Sequence, residues 1–199
     1  MSNARTCPIV VMSLHAVTLL TTLGPAAAGE TEWSGRVLTG PSPRYYHALA
    51  YDSDRGVTVL FGGYDGSYAG DTWEWDGSTW TLRATTGPTP RYSHAMAYDS
   101  ARGVTVLYGG RGNSISGEPW EWDGDDWRLR PSSGPGPRTS AAMAFDSIRS
   151  VAVLFGGNTT DPNTWEWDGS SWSLRATIGP SPRQGHTMAY DSARAVTVL

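Results

Sequence analysis

The sequence is poor in cysteine and in basic charge, and each shortage narrows the range of functions. Its 199 residues include one cysteine, Cys7, which excludes an internal disulfide and a cysteine-based zinc site. Lysine is absent, so all 15 basic side chains are arginines, and with 19 acidic side chains the formal net charge is −4. An acidic balance argues against a nucleic-acid partner, because such sites need a basic face.

Helical periodicity is also absent, whereas glycine and tryptophan are abundant. The chain has 24 glycines and 10 tryptophans, and its apolar residues alternate in short runs. No nucleophile motif, nucleotide-binding loop or metal-ligand spacing is present. The composition indicates an all-β protein and predicts no catalytic residue, no metal site and no cofactor.

Residues 1–28 are predicted to be a secretory signal peptide. Arg5 is the only charge before Glu30, an apolar run covers residues 8–23, and small residues lead to a cleavage point after Ala28. The apolar run is shorter than the ~20 residues that span a bilayer. We therefore expect an exported protein, either secreted or held in the periplasm or at the cell surface, with no membrane contact after cleavage.

The rest of the chain, residues 29–199, is built from one repeated unit. A Gly-Pro-x-Pro-Arg segment begins at residues 40, 87, 134 and 179, at intervals of 47, 47 and 45 residues. The units are therefore residues 40–86, 87–133, 134–178 and a partial unit 179–199, preceded by a lone predicted strand at 33–39. Each full unit contains four short apolar or alternating runs separated by turn residues, which predicts a four-stranded antiparallel sheet. Such sheets at this period are typical of β-propeller blades.

Two further landmarks recur inside each unit and carry a specific resemblance. A glycine doublet ends the second predicted strand. Two tryptophans follow five residues apart, the first in the third strand and the second at the start of the fourth. The doublets are Gly62-Gly63, Gly109-Gly110 and Gly156-Gly157, and the tryptophan pairs are Trp75 with Trp80, Trp122 with Trp127, and Trp167 with Trp172. The pattern resembles the kelch repeat of secreted bacterial proteins and of the galactose oxidase-like propellers, with Trp where that family more often has Tyr. Trp-Asp dipeptides also suggest WD repeats, but that family lacks the glycine doublet.

The resemblance implies a ring that is larger than this chain provides. Kelch propellers close with about six or seven blades. The sequence predicts three full blades and parts of two, so we expect an N-terminal fragment whose remaining blades lie downstream. Those remaining blades of the same propeller are the first partner that the resemblance implies.

Residues that recur in register are expected to serve the fold. Tryptophans would fill the space between blades, and glycine doublets would allow backbone conformations that other residues resist. Structural bonding is also the favoured role for Arg44, Arg91, Arg138 and Arg183, with direct ligand binding as the alternative. Histidine recurs at 47, 94 and 186 but is replaced by Ala141, so a ring of histidine metal ligands is not expected.

Recognition is expected where the units differ. The loops after the glycine doublets, residues 64–70, 111–117 and 158–162, vary most, and strand alternation places them at the same end of the blades as the Pro-Arg segments. Tyrosine rings and guanidinium groups suit carbohydrate or carboxylate ligands. The ligand-binding candidates are therefore Tyr64, Tyr68 and Arg111, together with the four repeated arginines.

The preferred function is a binding module that recognises a protein or a carbohydrate through this face. A sugar mutarotase-like enzyme is the first alternative, because it needs only polar groups around a pocket. A galactose oxidase-like enzyme is disfavoured. Its copper site needs a cysteine cross-linked to a tyrosine, and cleavage after Ala28 removes Cys7, the one cysteine of this sequence. The other alternative is a structural repeat region of a larger surface protein.

Overall fold

The computed structural model describes residues 39–130, 133–157 and 160–199, and these residues form an all-β structure. No helix occurs among them, and in particular none that is long and apolar enough to cross a membrane. The predicted signal peptide, and residues 33–38 of the predicted lone strand, lie outside the described residues.

Fourteen strands in the described residues form three four-stranded sheets and one two-stranded sheet. We call the sheets blades 1 to 4 in chain order. Blade 1 contains β1 (Ala48–Asp52), β2 (Val57–Phe61), β3 (Thr72–Trp75) and β4 (Trp80–Ala84). Blade 2 contains β5 (Tyr92–Asp99), β6 (Val104–Arg111), β7 (Pro119–Trp122) and β8 (Trp127–Leu129). Blade 3 contains β9 (Ala141–Asp146), β10 (Val151–Gly156), β11 (Thr164–Trp167) and β12 (Trp172–Ala176), and blade 4 contains β13 (Ala189–Asp191) and β14 (Val196–Val198).

Every sheet is antiparallel with its strands in chain order, which confirms the predicted fold class. The tight turns explain why consecutive strands pair. Between β3 and β4, the Asp76 carboxylate accepts hydrogen bonds from the backbone N–H groups of Ser78 and Thr79 at 2.8 and 2.7 Å. Gly77 follows with φ 94°, a conformation that favours glycine. The innermost strands β1, β5, β9 and β13 lie side by side, so the blades are arranged around one axis, and the ring is not closed.

Apolar side chains from adjacent blades form the core. Between blades 1 and 2, Phe61 and Trp122 pack with Met96, and all three are buried. Between blades 2 and 3, Tyr108 and Trp172 pack with Met143 in an equivalent cluster. Because each cluster takes residues from two sheets, a blade buries its apolar faces only against its neighbours.

A buried ionic network accompanies the apolar contacts and was not predicted from the sequence. In blade 1 the Arg55 guanidinium bridges Asp52 and Glu74, with N–O distances of 2.6 and 2.7 Å. The indole N–H of Trp122, in blade 2, donates to the same Glu74 carboxylate at 3.0 Å. The arrangement recurs one blade later around Glu121, so the carboxylate of one blade holds the tryptophan of the next.

Candidate functional site

The loops that vary between units and the Pro-Arg segments meet at one end of the blades, which we call the loop face. Backbone N–H groups of Tyr45 and Tyr64 each donate to the other's carbonyl, at 3.1 and 2.9 Å. The N–H of Gly63 donates to the carbonyl of Arg91 in the next blade at 2.9 Å. The inferred shared face is therefore present in the structure, and adjacent blades are joined there.

The repeated arginines lie beneath this face. Arg91 is only 1% exposed, and its Nη1 donates to the Gly109 carbonyl at 3.0 Å while its Nε donates to the Thr89 carbonyl. Arg44 and Arg138 make the equivalent bonds to the first glycine of the doublet in their own blades. These guanidinium groups are occupied by backbone acceptors, so their position favours the structural role over direct contact with a ligand. Arg183 is half-buried and bonds to Ser181.

Five tyrosines form a cluster on the loop face at the junction of blades 1 and 2. We call them the tyrosine cluster: Tyr45, Tyr46, Tyr64, Tyr68 and Tyr92. The rings form a closed sequence of neighbours, with centroid separations of 5.0 Å (45–46), 5.5 Å (45–64), 5.7 Å (64–68), 5.7 Å (68–92) and 5.8 Å (92–46). They line a cavity of about 280 Å³. The structure thus brings the predicted Tyr64 and Tyr68 together and adds three tyrosines that the sequence did not identify.

The backbone explains how the cluster is held. Tyr46 has φ 56°, in the left-handed region, and the equivalent Ser93, Ser140 and Gly185 share this conformation. The Tyr46 carbonyl accepts a 2.8 Å hydrogen bond from the Ser93 N–H, and the same rung joins each later pair of blades. Since these rungs fix the chain around Tyr46 and Tyr92, the two rings meet although they come from different blades.

The cluster remains open to solvent. Tyr46 is 61% exposed and Tyr68 is 38% exposed, and Tyr64 and Tyr92 are half-buried. None of the five hydroxyls hydrogen-bonds to another described residue. Each is therefore an available donor and acceptor at the end of a ring that is already fixed by packing.

Two charged residues, Asp65 and Arg111, border the cluster. Asp65 is exposed next to Tyr64, and its carboxylate accepts hydrogen bonds from the Ser42 hydroxyl at 2.6 Å and from the Ser67 hydroxyl and N–H. These bonds hold the pKa of the Asp65 carboxyl below its usual value, so it stays ionised. Arg111 is exposed at the end of β6, directly opposite Tyr92 in the β5–β6 pairing. Arg111, which was predicted as a ligand-binding candidate with Tyr64 and Tyr68, therefore borders the cluster without lining its cavity.

A comparison of equivalent positions in successive units gives a sequence signal for the tyrosines that were not predicted. Tyr64 corresponds to Arg111 and Tyr68 to Ile115 one unit later, while Tyr46 corresponds to Ser93. A comparison of the residues that follow each Pro-Arg pair identifies Tyr46 as unusual, since the later units have Ser93, Ser140 and Gly185 there.

No group of three or more metal-ligating side chains occurs among the described residues. In the Asp-rich turns, the first aspartate accepts hydrogen bonds from backbone N–H groups of the same turn. The Asp52 carboxylate accepts from the N–H groups of Asp54 and Arg55, and that of Asp123 accepts from Asp125 and Asp126. Both segments therefore stabilise hairpin turns.

No protein-family model and no curated protein sequence matches the chain. Among solved structures, the chain is similar to one in the nidogen/laminin complex, with 14% identity and a TM-score of 0.53 over 76% of this chain and 55% of the other. A structure of YCF48 bound to D1 peptide is 13% identical, with a TM-score of 0.34 over 74% of this chain and 58% of that one. The chain spans just over half the length of both. The first similarity supports the β-propeller fold and nothing finer.

Proposed function

We propose that the chain belongs to an exported, kelch-type β-propeller that binds a protein partner through the loop face. The observation that carries the proposal is the tyrosine cluster, a fixed and exposed set of rings whose hydroxyls have no partner among the described residues. Tyrosine supplies a large amphipathic contact area at low entropic cost, and it is enriched at the energetic centres of protein interfaces.

The composition of the surrounding loops favours a protein over a carbohydrate. Residues 64–68 read Tyr-Asp-Gly-Ser-Tyr, and Asn113 and Ser114 follow in the neighbouring loop. Tyrosine anchors among Ser, Gly and Asn are typical of protein-binding loops. The paired charges that would hold sugar hydroxyls, Arg44 with Asp71 among them, already bond to each other.

Export and the kelch assignment are supported by the sequence. The leader at residues 1–28 supports export. The three glycine doublets support the kelch type, since all six glycines have positive φ and lie at or near the end of the second strand of their blade. The protein in the nidogen/laminin complex provides an example of a similar fold within a protein complex.

Selection from a random peptide library, with a glycan array in parallel, tests the proposal. The full chain, a Tyr45→Ser/Tyr68→Ser variant and a Tyr51→Ser control are compared. Tyr51 is a suitable control because it is 61% exposed but lies outside the cluster. We expect peptides that bind the full chain and the control but lose about tenfold or more in affinity on the double variant. Binding that persists in the double variant, or binding of glycans alone, contradicts the proposal.

A further inference from the structure

The cavity of the tyrosine cluster is the centre of a longer groove. Tyr45 and Tyr64 also border a depression of about 530 Å³ that reaches Pro43 and Gly66. On the other side, Tyr68 borders a cleft of about 370 Å³ that reaches Pro90 and Asn113. Because neighbouring depressions share tyrosine rings as walls, they form one channel across the junction of blades 1 and 2. We call it the tyrosine groove.

The shape of this groove suits an extended chain. The central cavity shares Tyr45 and Tyr64 with one depression and Tyr68 with the other, so an extended ligand can contact all three. A polypeptide in the polyproline II conformation is extended at about 3.1 Å per residue and has no internal hydrogen bonds. Its carbonyl groups are free to accept bonds from the groove, and its proline rings fit between aromatic side chains.

The donors that such a chain needs are present. All five cluster hydroxyls are without a hydrogen-bond partner among the described residues, and each can donate to a carbonyl. A polyproline II segment also loses little entropy on binding, which suits a groove whose walls are already packed.

Of the three depressions, only the one that reaches Pro43 and Gly66 is bordered by charged side chains, Arg44 and Asp65. The Asp65 carboxylate forms no ion pair with another described residue. The other carboxylates near this face, Asp71 and Glu118, are paired with Arg44 and Arg91 at 2.5 and 3.6 Å. Asp65 is therefore the acid available to a cation of the partner.

Resting on the function proposed above, we propose that the tyrosine groove binds a proline-rich, extended segment of a protein partner, with a basic residue of that segment next to Asp65. The tyrosine rings receive the prolines, their hydroxyls bind the segment's carbonyl groups, and Asp65 sets its direction.

Fluorescence anisotropy with four labelled synthetic peptides tests this inference on the full chain. The first has several prolines and an arginine at its N-terminal end, and the second has the same composition with the arginine at its C-terminal end. The third and fourth are made from whichever of these two binds more tightly, the third with its prolines replaced by alanine and the fourth with its arginine replaced by glutamate. We expect one of the first two to bind about tenfold more tightly than the alanine and glutamate peptides.

Three variants locate the contact. Tyr68→Phe keeps the ring and removes one hydroxyl, so we expect a loss of severalfold in affinity. Asp65→Asn leaves the groove intact, and we expect the preference for arginine over glutamate to fall to about twofold or less. The control Tyr51→Ser should bind as the parent chain does.

Equal binding of the proline and alanine peptides overturns the inference, as does an arginine preference that survives Asp65→Asn. If none of the four peptides binds, but library peptides still require Tyr45 and Tyr68, this inference fails while the protein-binding function stands. If binding of the four synthetic peptides and of the library peptides is independent of the tyrosine cluster, this inference and the proposed protein-binding function both fail.

Discussion

The junction between blades 1 and 2 and the junction between blades 2 and 3 are alike inside and different at the loop face. In both, a buried glutamate accepts the indole N–H of the next blade, Glu74 from Trp122 at 3.0 Å and Glu121 from Trp167 at 3.1 Å. In both, the second glycine of the doublet donates to an arginine carbonyl of the next blade at 2.9 Å.

At the loop face the two junctions share their backbone rungs but differ in their side chains. The first carries the tyrosine cluster, whereas the equivalent positions of the second are Tyr92, Ser93, Arg111, Ile115 and Thr139. The positions that repeat hold sheets together, and the positions that differ are free to define a ligand. Similar stability but different recognition is therefore expected of the two junctions.

Removing the shared glutamates should have the largest effect. Glu121 is buried between Arg102 and Arg130, with N–O distances of 2.5 and 2.7 Å. Glu121→Ala removes the acceptor of Arg130 and of the Trp167 indole N–H, and it leaves Arg102 with Asp99 alone. We expect a loss of about 3 kcal/mol in the free energy of unfolding. Glu74→Ala should cost a similar amount if the junctions are equivalent inside.

Urea denaturation measures these losses, with Glu166→Ala as the matched control. Glu166 bonds to Arg149 but accepts no indole N–H among the described residues, so about 1 kcal/mol is expected. A Glu121→Ala loss no larger than that of the control would contradict the role assigned to the inter-blade bond.

Acid should act on the first junction more than on the second. Burial, together with the nearby Arg91 charge, lowers the pKa of His94 to about 3, whereas the equivalent position of the second junction is Ala141. The unfolded chain binds a proton at His94 below pH ~6.5 and the folded chain does not, so stability falls as pH drops from ~6.5 towards ~3. We expect a loss of about 2 kcal/mol from this group between pH 7 and pH 5.

Denaturation at both pH values, for the parent chain and for His94→Ala, checks this expectation. The variant should lose less stability on acidification than the parent, although it starts from a lower value because a buried side chain has been removed. An unchanged pH slope would show that His94 is not the group responsible.

The smallest expected effect concerns one missing hydrogen bond. At the first junction the indole N–H of Trp127 donates to the Thr72 hydroxyl at 2.8 Å. Proline occupies the equivalent position 119, and the Trp172 indole N–H is buried without a partner among the described residues. Pro119→Thr should therefore stabilise the chain by about 0.5–1.5 kcal/mol, measured as a shift in the urea midpoint. Thr72→Val should cost a similar amount, and a neutral Pro119→Thr would mean that the two junctions differ in backbone as well as in residue type.

Much of the fold could be predicted because its signals are local. The alternation in β1 and the Asp76-Gly77 turn each depend on a few consecutive residues, as the predicted four-stranded unit requires. Blade 2 differs in detail, since β5 and β6 have eight residues each whereas β1 and β2 have five. The reason is that the longer pairing extends through Gly109 and as far as Arg111, beyond the doublet that was expected to end the strand.

The site could be predicted only in part. Tyr64 and Tyr68 lie in a variable loop and were identified, but Tyr46 and Tyr92 lie in segments that read as scaffold. Arg91 was a binding candidate by its chemistry, yet its burial commits it to the Gly109 carbonyl. The exposure of each side chain and its hydrogen-bond partners depend on contacts with the neighbouring blade. The repeat pattern of the sequence does not describe those contacts.

The sequence alone determined that four-stranded units repeat, since strand alternation and turn chemistry act within a few residues. Only the tertiary structure decided which side chains share a surface. Tyr92 follows Tyr46 by 46 positions in the chain, and their ring centroids lie 5.8 Å apart. The inter-blade rungs that bring them together are backbone hydrogen bonds, and these form only when one sheet packs beside the next.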